Sequence, residues 1–221
     1  MLVKLSAFLG ALAAVVVGLG LAMLLMFRFV PIPVTPLMAW RAVDGYGWNY
    51  QWTPLEAVPE HVPRAVIASE DARYCEHYGV DLSQLRLAVQ EWMAGERVRG
   101  ASTLTMQTTK NVFLWHGRSY LRKALEIPMA PVLERIWGKR RVLEVYLNIA
   151  ELGPGVYGFG AAAQHHFGKE AGALTPQETA LLVAILPSPL SRSAAEPGNY
   201  TSRRARQIAA DIPVVDLSCI E

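Results

Sequence analysis

The stretch Val62-Pro63-Arg64-Ala65-Val66-Ile67-Ala68-Ser69-Glu70-Asp71-Ala72-Arg73-Tyr74-Cys75-Glu76-His77-Tyr78-Gly79-Val80-Asp81 decides how the rest of the chain is read. Pro63 suits the first turn of a helix, where its missing N–H costs nothing, and Gly79 suits the position just past a helix end. On a continuous helix Val62, Val66 and Glu70 share a face at i, i+4 and i+8, which draws Glu70 to the edge of the buried surface. Arg73 and His77 then fall on its side at i+3 and i+7. A half-buried carboxylate beside a cation and an imidazole is suited to general-base work. The same residues also make an ordinary surface salt-bridge cluster, and the segment alone does not choose. Asp81, with Gln84 three residues on, is a capping-type start for a next helix over 82–94.

Downstream, helix signals dominate. In Arg99-Gly100-Ala101-Ser102-Thr103-Leu104-Thr105-Met106-Gln107-Thr108-Thr109-Lys110-Asn111, Ser102 can cap a helix running to about residue 115. Thr103, Gln107, Lys110 and Asn111 then line a polar stripe that suits sugar hydroxyls and one anionic group. In Ser119–Glu126, Arg122 and Lys123 precede Glu126 at i+4 and i+3, the weaker orientation for helix stability, and Arg and Lys together suit a phosphate. Val142, Val145, Tyr146, Ile149 and Leu152 give a helical core stripe, followed by a glycine-rich loop between 153 and 160 and by Ala161-Ala162-Ala163, which can pack tightly. Thr175-Pro176-Gln177-Glu178 reads as a capping box with proline at the first helical position. Arg203, Arg204 and Arg206 mark a last basic helix, solvated or facing lipid headgroups. No run of alternating strands is convincing, so the fold is expected to be mainly α.

At the N-terminus, Leu5 to Phe27 carries no charge and almost no polarity. At 1.5 Å per residue it reaches about 34 Å, enough for a hydrocarbon core of about 30 Å. It is longer than a signal-peptide core and ends in bulky residues, so it reads as a retained single-span anchor. Pro31–Pro36 is a stiff linker, and 37–61 suits a packed approach near the membrane. The expected organisation is thus 1–30 tail and anchor, 31–60 linker and membrane-proximal segment, and 61–221 catalytic domain. Over 221 residues the net charge of +2 gives no reason to expect nucleic-acid binding. Two cysteines, Cys75 and Cys219, make neither a disulfide framework nor a cysteine-rich metal site; Cys75 reads as a small buried hydrophobe.

Taken in order, Glu70-Asp71-x-x-Tyr74-x-x-His77-x-Gly79-x-Asp81, Gly100-x-Ser102-Thr103-x-x-x-Gln107-x-x-Lys110-Asn111, Arg122-Lys123-x-x-Glu126 and Leu143-Glu144-x-Tyr146-Leu147-Asn148, running to Phe167-Gly168-Lys169, resemble the peptidoglycan glycosyltransferases over about residues 60–190. With no space for a transpeptidase domain, the chain looks like the monofunctional biosynthetic type. The resemblance implies a lysozyme-like, two-lobed helical domain with one N-terminal transmembrane helix, in the bacterial cytoplasmic (inner) membrane with the domain on its periplasmic or outer face. It implies that the GlcNAc 4-hydroxyl of lipid II attacks the MurNAc anomeric carbon of a glycan chain held on undecaprenyl pyrophosphate. An inverted β-1,4 bond forms and the lipid pyrophosphate leaves.

In the same resemblance Glu70 matches the general base. Glu126 matches a second catalytic glutamate that helps the leaving group through a divalent cation (Mg or Mn) or through neighbouring bases. Asp71, His77, Thr103, Gln107, Lys110, Asn111, Arg122 and Lys123 match residues that hold sugar or pyrophosphate. No organic cofactor is expected; the expected partners are the membrane, lipid II, the growing chain, and cell-wall synthesis or division proteins. Three departures stand out: Met106 replaces the first of two glutamines, Tyr74 replaces a Phe, and Gly160 stands where a Glu is common, a loss expected to loosen the adjoining loop. The rival readings are a lytic or hydrolytic enzyme on the same fold and a non-catalytic recruitment module.

Overall fold

A computed structural model describes residues 2–96, 100–117 and 119–221, so Arg99 of the quoted second stretch lies outside the described residues. Two compact units divide the chain at residues 33 and 34. The first contains helix α1 (Leu2–Phe27), whose segment Phe8–Phe27 is long and apolar enough to cross a membrane. Its large apolar side chains, from Phe8 to Met26, are mostly exposed, as a lipid-facing helix requires.

The second unit, residues 34–221, is mainly helical: α2 (Pro36–Val43), α3 (His61–Glu70), α4 (Leu82–Met93), α5 (Leu104–Phe113), α6 (Tyr120–Ile149), α7 (Gly158–Phe167), α8 (Pro176–Ile185) and α9 (Asn199–Asp211). Residues 34–60 therefore belong to the globular unit, beginning with α2, whose cap Thr35 accepts a hydrogen bond from Met38 N–H at 3.2 Å. A three-stranded sheet, absent from the sequence expectation, joins β1 (Asn49–Tyr50), β2 (Glu151–Gly153) and β3 (Val156–Tyr157). Its order is β1-β3-β2, with β1 parallel to β3 and β2 antiparallel to it. Strands of two or three residues are too short to show an alternating pattern, which is why periodicity misses them.

Among the described residues, two apolar clusters form the core. The larger gathers Val62, Val66, Leu143, Leu147, Phe159, Leu182 and Ile208, from α3, α6, α7, α8 and α9. Helix α8 lies at its centre, with six of its residues buried, and starts on the expected capping box: Thr175 Oγ1 accepts from Glu178 N–H at 3.2 Å while Glu178 accepts from Thr175 N–H at 2.9 Å. The smaller cluster holds Val80, Met106 and Ala130 between the Gly79 turn, α5 and α6. Met106 is fully buried there, so its departure from the family pattern falls on packing and not on the cleft. Helix α6 runs past Pro128 and Pro131 and breaks its dihedrals at Gly138 (φ 76°), joining the two helices read separately from sequence.

Gly160 is tightly enclosed. A Cβ there would collide with Thr53 Oγ1 and lie 3.1 Å from Gln51 O. The absent side chain lets residues 51–53 pack directly on α7.

Cys75 and Cys219 form a disulfide, correcting the reading of Cys75 as a lone buried hydrophobe. Sequence spacing gave no hint, because the partners are 144 residues apart and meet only through the fold. The bond ties the C-terminal segment to the turn after α3. Arg64 Nη1 donates to Val215 O in the same strap, and Arg140 Nη1 donates to Ile220 O at 3.0 Å. Replacing both cysteines with serine is expected to lower stability by about 2–5 kcal/mol, because so long a loop regains its freedom in the unfolded chain. A urea titration of the full chain in detergent, with and without reductant, checks this: wild-type protein should lose the same increment on reduction and the variant should not respond.

Candidate active site

Helix α3 stops at Glu70, not near Gly79. The next residue, Asp71, leaves helical geometry (φ −160°, ψ 65°). Its side chain explains why: Oδ2 accepts from Leu104 N–H at 2.9 Å, at the start of α5, and Oδ1 lies 2.8 Å from His77 Nε2. The carboxylate satisfies a backbone donor that the first turn of α5 leaves open. A helix continuing past residue 70 would carry Asp71 away from it. Arg73 and His77 therefore do not extend Glu70's face, as the periodicity suggested. Arg73 is exposed and pairs with Glu76 at 2.7 Å and Asp81 at 3.4 Å, whereas His77 is buried against Asp71.

The cap of α5 is Thr103, one residue later than expected. Thr103 Oγ1 accepts from Met106 N–H at 3.1 Å and donates to Gly79 O at 2.6 Å. Asp71, His77 and Thr103 thus knit the turn after α3 to the start of α5. Ser102, released from capping, accepts from Lys123 Nζ at 2.8 Å.

Glu70 is half-buried, and each of its carboxylate oxygens has a donor. Ser69 Oγ donates to Oε1 at 3.2 Å and Gln107 Nε2 to Oε2 at 3.1 Å. The buried Tyr146 hydroxyl donates to Gln107 Oε1 at 3.2 Å, fixing the amide that faces Glu70. Burial, reinforced by the Glu70 charge, holds the Tyr146 hydroxyl well above its ordinary range, so it stays a donor. Helix α5 turns Gln107, Lys110 and Asn111 outward and Thr105, Thr108 and Thr109 inward.

Arg122, Lys123 and Glu126 project from the first two turns of α6. Glu126 is buried, with Arg122 Nη1 on Oε1 and Lys123 Nζ on Oε2 at 3.0 Å. Burial, then the Arg122 charge, lowers Lys110, while Glu70 raises it, so Lys110 feels both the carboxylate and the cations. Lys123 is pushed down from 10.5 to about 8, first by burial and then by Arg122 and Lys110.

Among the described residues, three cavities border Glu70 or Lys110. One of about 270 Å³ is lined by Glu70, Asp71, Gln84, Ser102 and Thr103. A second, about 400 Å³, is lined by Gln107, Lys110, Asn111, Tyr146 and residues 186–191. A third, about 410 Å³, is lined by Ser69, Glu70, Tyr200, Arg203 and Arg204. The structure thus brings Glu70, Gln107, Lys110 and Asn111 to the cavity walls, joins the Arg122-Lys123-Glu126 tripod through Ser102, and keeps His77 behind Asp71.

Sequence reasoning missed several members. Arg41 of α2 and Glu151 of β2 form an ion pair of 3.1 Å that borders the Lys110 cavity. Burial raises the Glu151 carboxyl while Arg41 opposes the rise. Ser69 was passed over beside its more conspicuous neighbour. Arg204, read as solvated or lipid-facing, instead donates Nη2 to Ser69 Oγ at 3.2 Å. The Arg203-Arg204 doublet was the available signal, but only the fold sets it against α3.

The arrangement can take a proton at Glu70 and stabilise negative charge at Lys110, Arg122 and Lys123. A model of the family described as "Transglycosylase" matches residues 40–212. A protein of Caulobacter vibrioides named "Biosynthetic peptidoglycan transglycosylase" is 46% identical over 198 residues, 90% of this chain and 86% of the relative. One of Rhodospirillum centenum with the same name is 47% identical over 208 residues, 92% and 90% of the two chains. A third, from Pasteurella multocida, is 46% identical over 198 residues, 86% and 80%. With a family match over residues 40–212 and relatives aligned over 80–90% of their own length, the chain belongs to the transglycosylase family and carries its lysozyme-like, mainly helical domain.

Proposed function

We propose that this chain polymerises peptidoglycan glycan strands from lipid II by inverting glycosyl transfer. The observation that carries the reading is that Glu70 accepts from Gln107, which lines one cavity with Lys110, and itself lines another with Ser102, to which Lys123 donates. In the proposed step the acceptor's 4-hydroxyl approaches Glu70, whose carboxylate accepts the proton. The hydroxyl oxygen bonds to the donor's anomeric carbon as the bond from that carbon to the diphosphate oxygen breaks. The charge that develops on the departing diphosphate meets fixed cations in a partly desolvated cleft, where they act more strongly than in water. Gln107 and Ser69 hold the Glu70 carboxylate in place while it waits for the proton. Glu126 fixes the Arg122 and Lys123 heads toward one spot.

Both Glu126 oxygens are engaged by cationic side chains, which supports the neighbouring bases rather than a divalent cation as the aid to the leaving group. Lys123 then sets an alkaline limit. Its folded pKa lies below its ordinary value, so the ammonium is harder to keep in the folded protein; that cost to stability is complete below pH 8 and fades as pH rises toward 10.5. Binding of a diphosphate needs the protonated form, so kcat/KM is expected to fall as pH rises through about 8. Lys123→Arg, which keeps its charge, should remove that limb from the pH profile.

The α1 helix supports a membrane anchor, and the Cys75–Cys219 bond supports an oxidising compartment for the domain. Both fit the outer face of the cytoplasmic membrane. There, confinement beside lipid-tethered substrates raises their effective concentration. The test is a gel of products from purified chain and labelled lipid II, beside a parallel incubation with intact sacculi. Polymer from lipid II is the expected result. Dissolution of sacculi without polymer would establish the lytic reading, for which a cationic diphosphate site has no use.

A further inference from the structure

We infer that the wall formed by Tyr200, Arg203 and Arg204 on α9 is an oxyanion subsite for the acceptor substrate, an inference that rests on the synthetic reading above. Three observations converge on it. The cavity of about 410 Å³ bounded by this wall ends on Glu70 and Ser69, and shares only Pro187 with the cavity that holds Lys110. In a displacement with inversion, the attacking hydroxyl and the leaving group lie on opposite sides of the anomeric carbon. With the diphosphate leaving toward Lys110, the body of the acceptor belongs on a different side of Glu70.

The wall is also cationic, with no direct ion pair of its own. Arg203 is exposed, no carboxylate among the described residues pairs with Arg203 or Arg204, and Arg192 stacks over Tyr200 at 4.3 Å. An exposed guanidinium such as that of Arg203 suits bidentate contact with a phosphate or carboxylate. Finally, Arg204 is wired to the base: its Nη2 donates to Ser69 Oγ, which donates to Glu70 Oε1, each at 3.2 Å. An anion seated here would therefore be in register with the group that receives the acceptor's proton. Arg203 is the anion-binding member, and Arg204 is a positioning residue that acts through Ser69. The oxyanion is either the acceptor's own diphosphate or a carboxylate of its stem peptide.

The experiment uses the full chain in detergent and a saturating lipid-linked donor whose own 4-hydroxyl is blocked, so that only the second substrate accepts. Acceptors are intact lipid II, the disaccharide-peptide without diphosphate, and the disaccharide diphosphate lipid without peptide. Arg203→Glu is expected to raise the KM for intact lipid II at least about tenfold, with kcat within about twofold of wild type, and Arg203→Lys to restore most of the loss. The acceptor whose KM ignores Arg203→Glu identifies the missing anion as the one recognised. Because Arg203 is exposed, an unchanged unfolding midpoint accompanies the effect. A KM within about twofold of wild type for every acceptor would overturn the subsite while leaving polymerisation intact. Wild-type protein that makes no bond at all would instead overturn the synthetic reading itself.

Discussion

Replacing Glu70 with glutamine is expected to slow glycan polymerisation by about 10²–10⁴-fold, the range over which a positioned general base contributes. Glutamine keeps the length and shape of the side chain and can still accept from Ser69 Oγ. What it cannot do is take the hydroxyl proton. Its new amide would face the Gln107 amide, two donors in opposition, which a flip of either terminal group relieves. Glu70 is half-buried at the last residue of α3 and makes no ion pair among the described residues. Its neutralisation should accordingly change stability by no more than about 1 kcal/mol. Initial rates on labelled lipid II, set beside a urea midpoint, separate the two effects. A variant that polymerises at close to the wild-type rate removes Glu70 from the role of base. A variant that unfolds shows only that Glu70 supports the helix end.

Lys110→Met should cost about 10²–10³-fold in kcat, comparable to removal of one preorganised charge-stabilising donor. The reason lies in where Lys110 is held. Burial and Arg122 both make its ammonium costly to keep, so the folded chain carries a charge that its own stability does not want. Methionine keeps most of the apolar stem and discards the charge. Stability should therefore hold or rise while activity falls, opposite to the outcome for a residue that merely supports the fold. A loss below about fivefold would show that the departing diphosphate draws its stabilisation from elsewhere in the cluster. Lys110→Arg, which keeps the charge with a different shape, should retain part of the rate.

The same contrast separates what was legible in the chain from what was not. Features carried by neighbours along the sequence survive folding almost unchanged. The apolar run of α1, the Thr175–Glu178 capping box, the Asp81 cap of α4 and, apart from the buried Thr103, the polar stripe of α5 are where local spacing puts them. So is the Arg122-Lys123-Glu126 tripod, because i+3 and i+4 partners meet on any helix. The continuous helix expected over 63–78 was the main local error. Nothing in its periodicity reveals that Asp71 spends its carboxylate on a backbone N–H at residue 104. Likewise the cap of α5 moved by one residue because Thr103 answers to Gly79 O as well as to its own helix.

By itself, then, the sequence determined a membrane-length helix, a mainly helical domain and a set of acidic, amide and basic groups ordered along the chain as in the transglycosylases. Only the tertiary structure decided which of them meet. Glu70 acquires Gln107 and, through Ser69, Arg204; Arg41 meets Glu151; Cys75 meets Cys219. Each of these pairs is separated by dozens of residues or more. Hydrophobic periodicity records which side of an element is buried, but not what is packed against it. That second fact depends on how α3, α5, α6 and α9 pack against one another, and no local spacing encodes it.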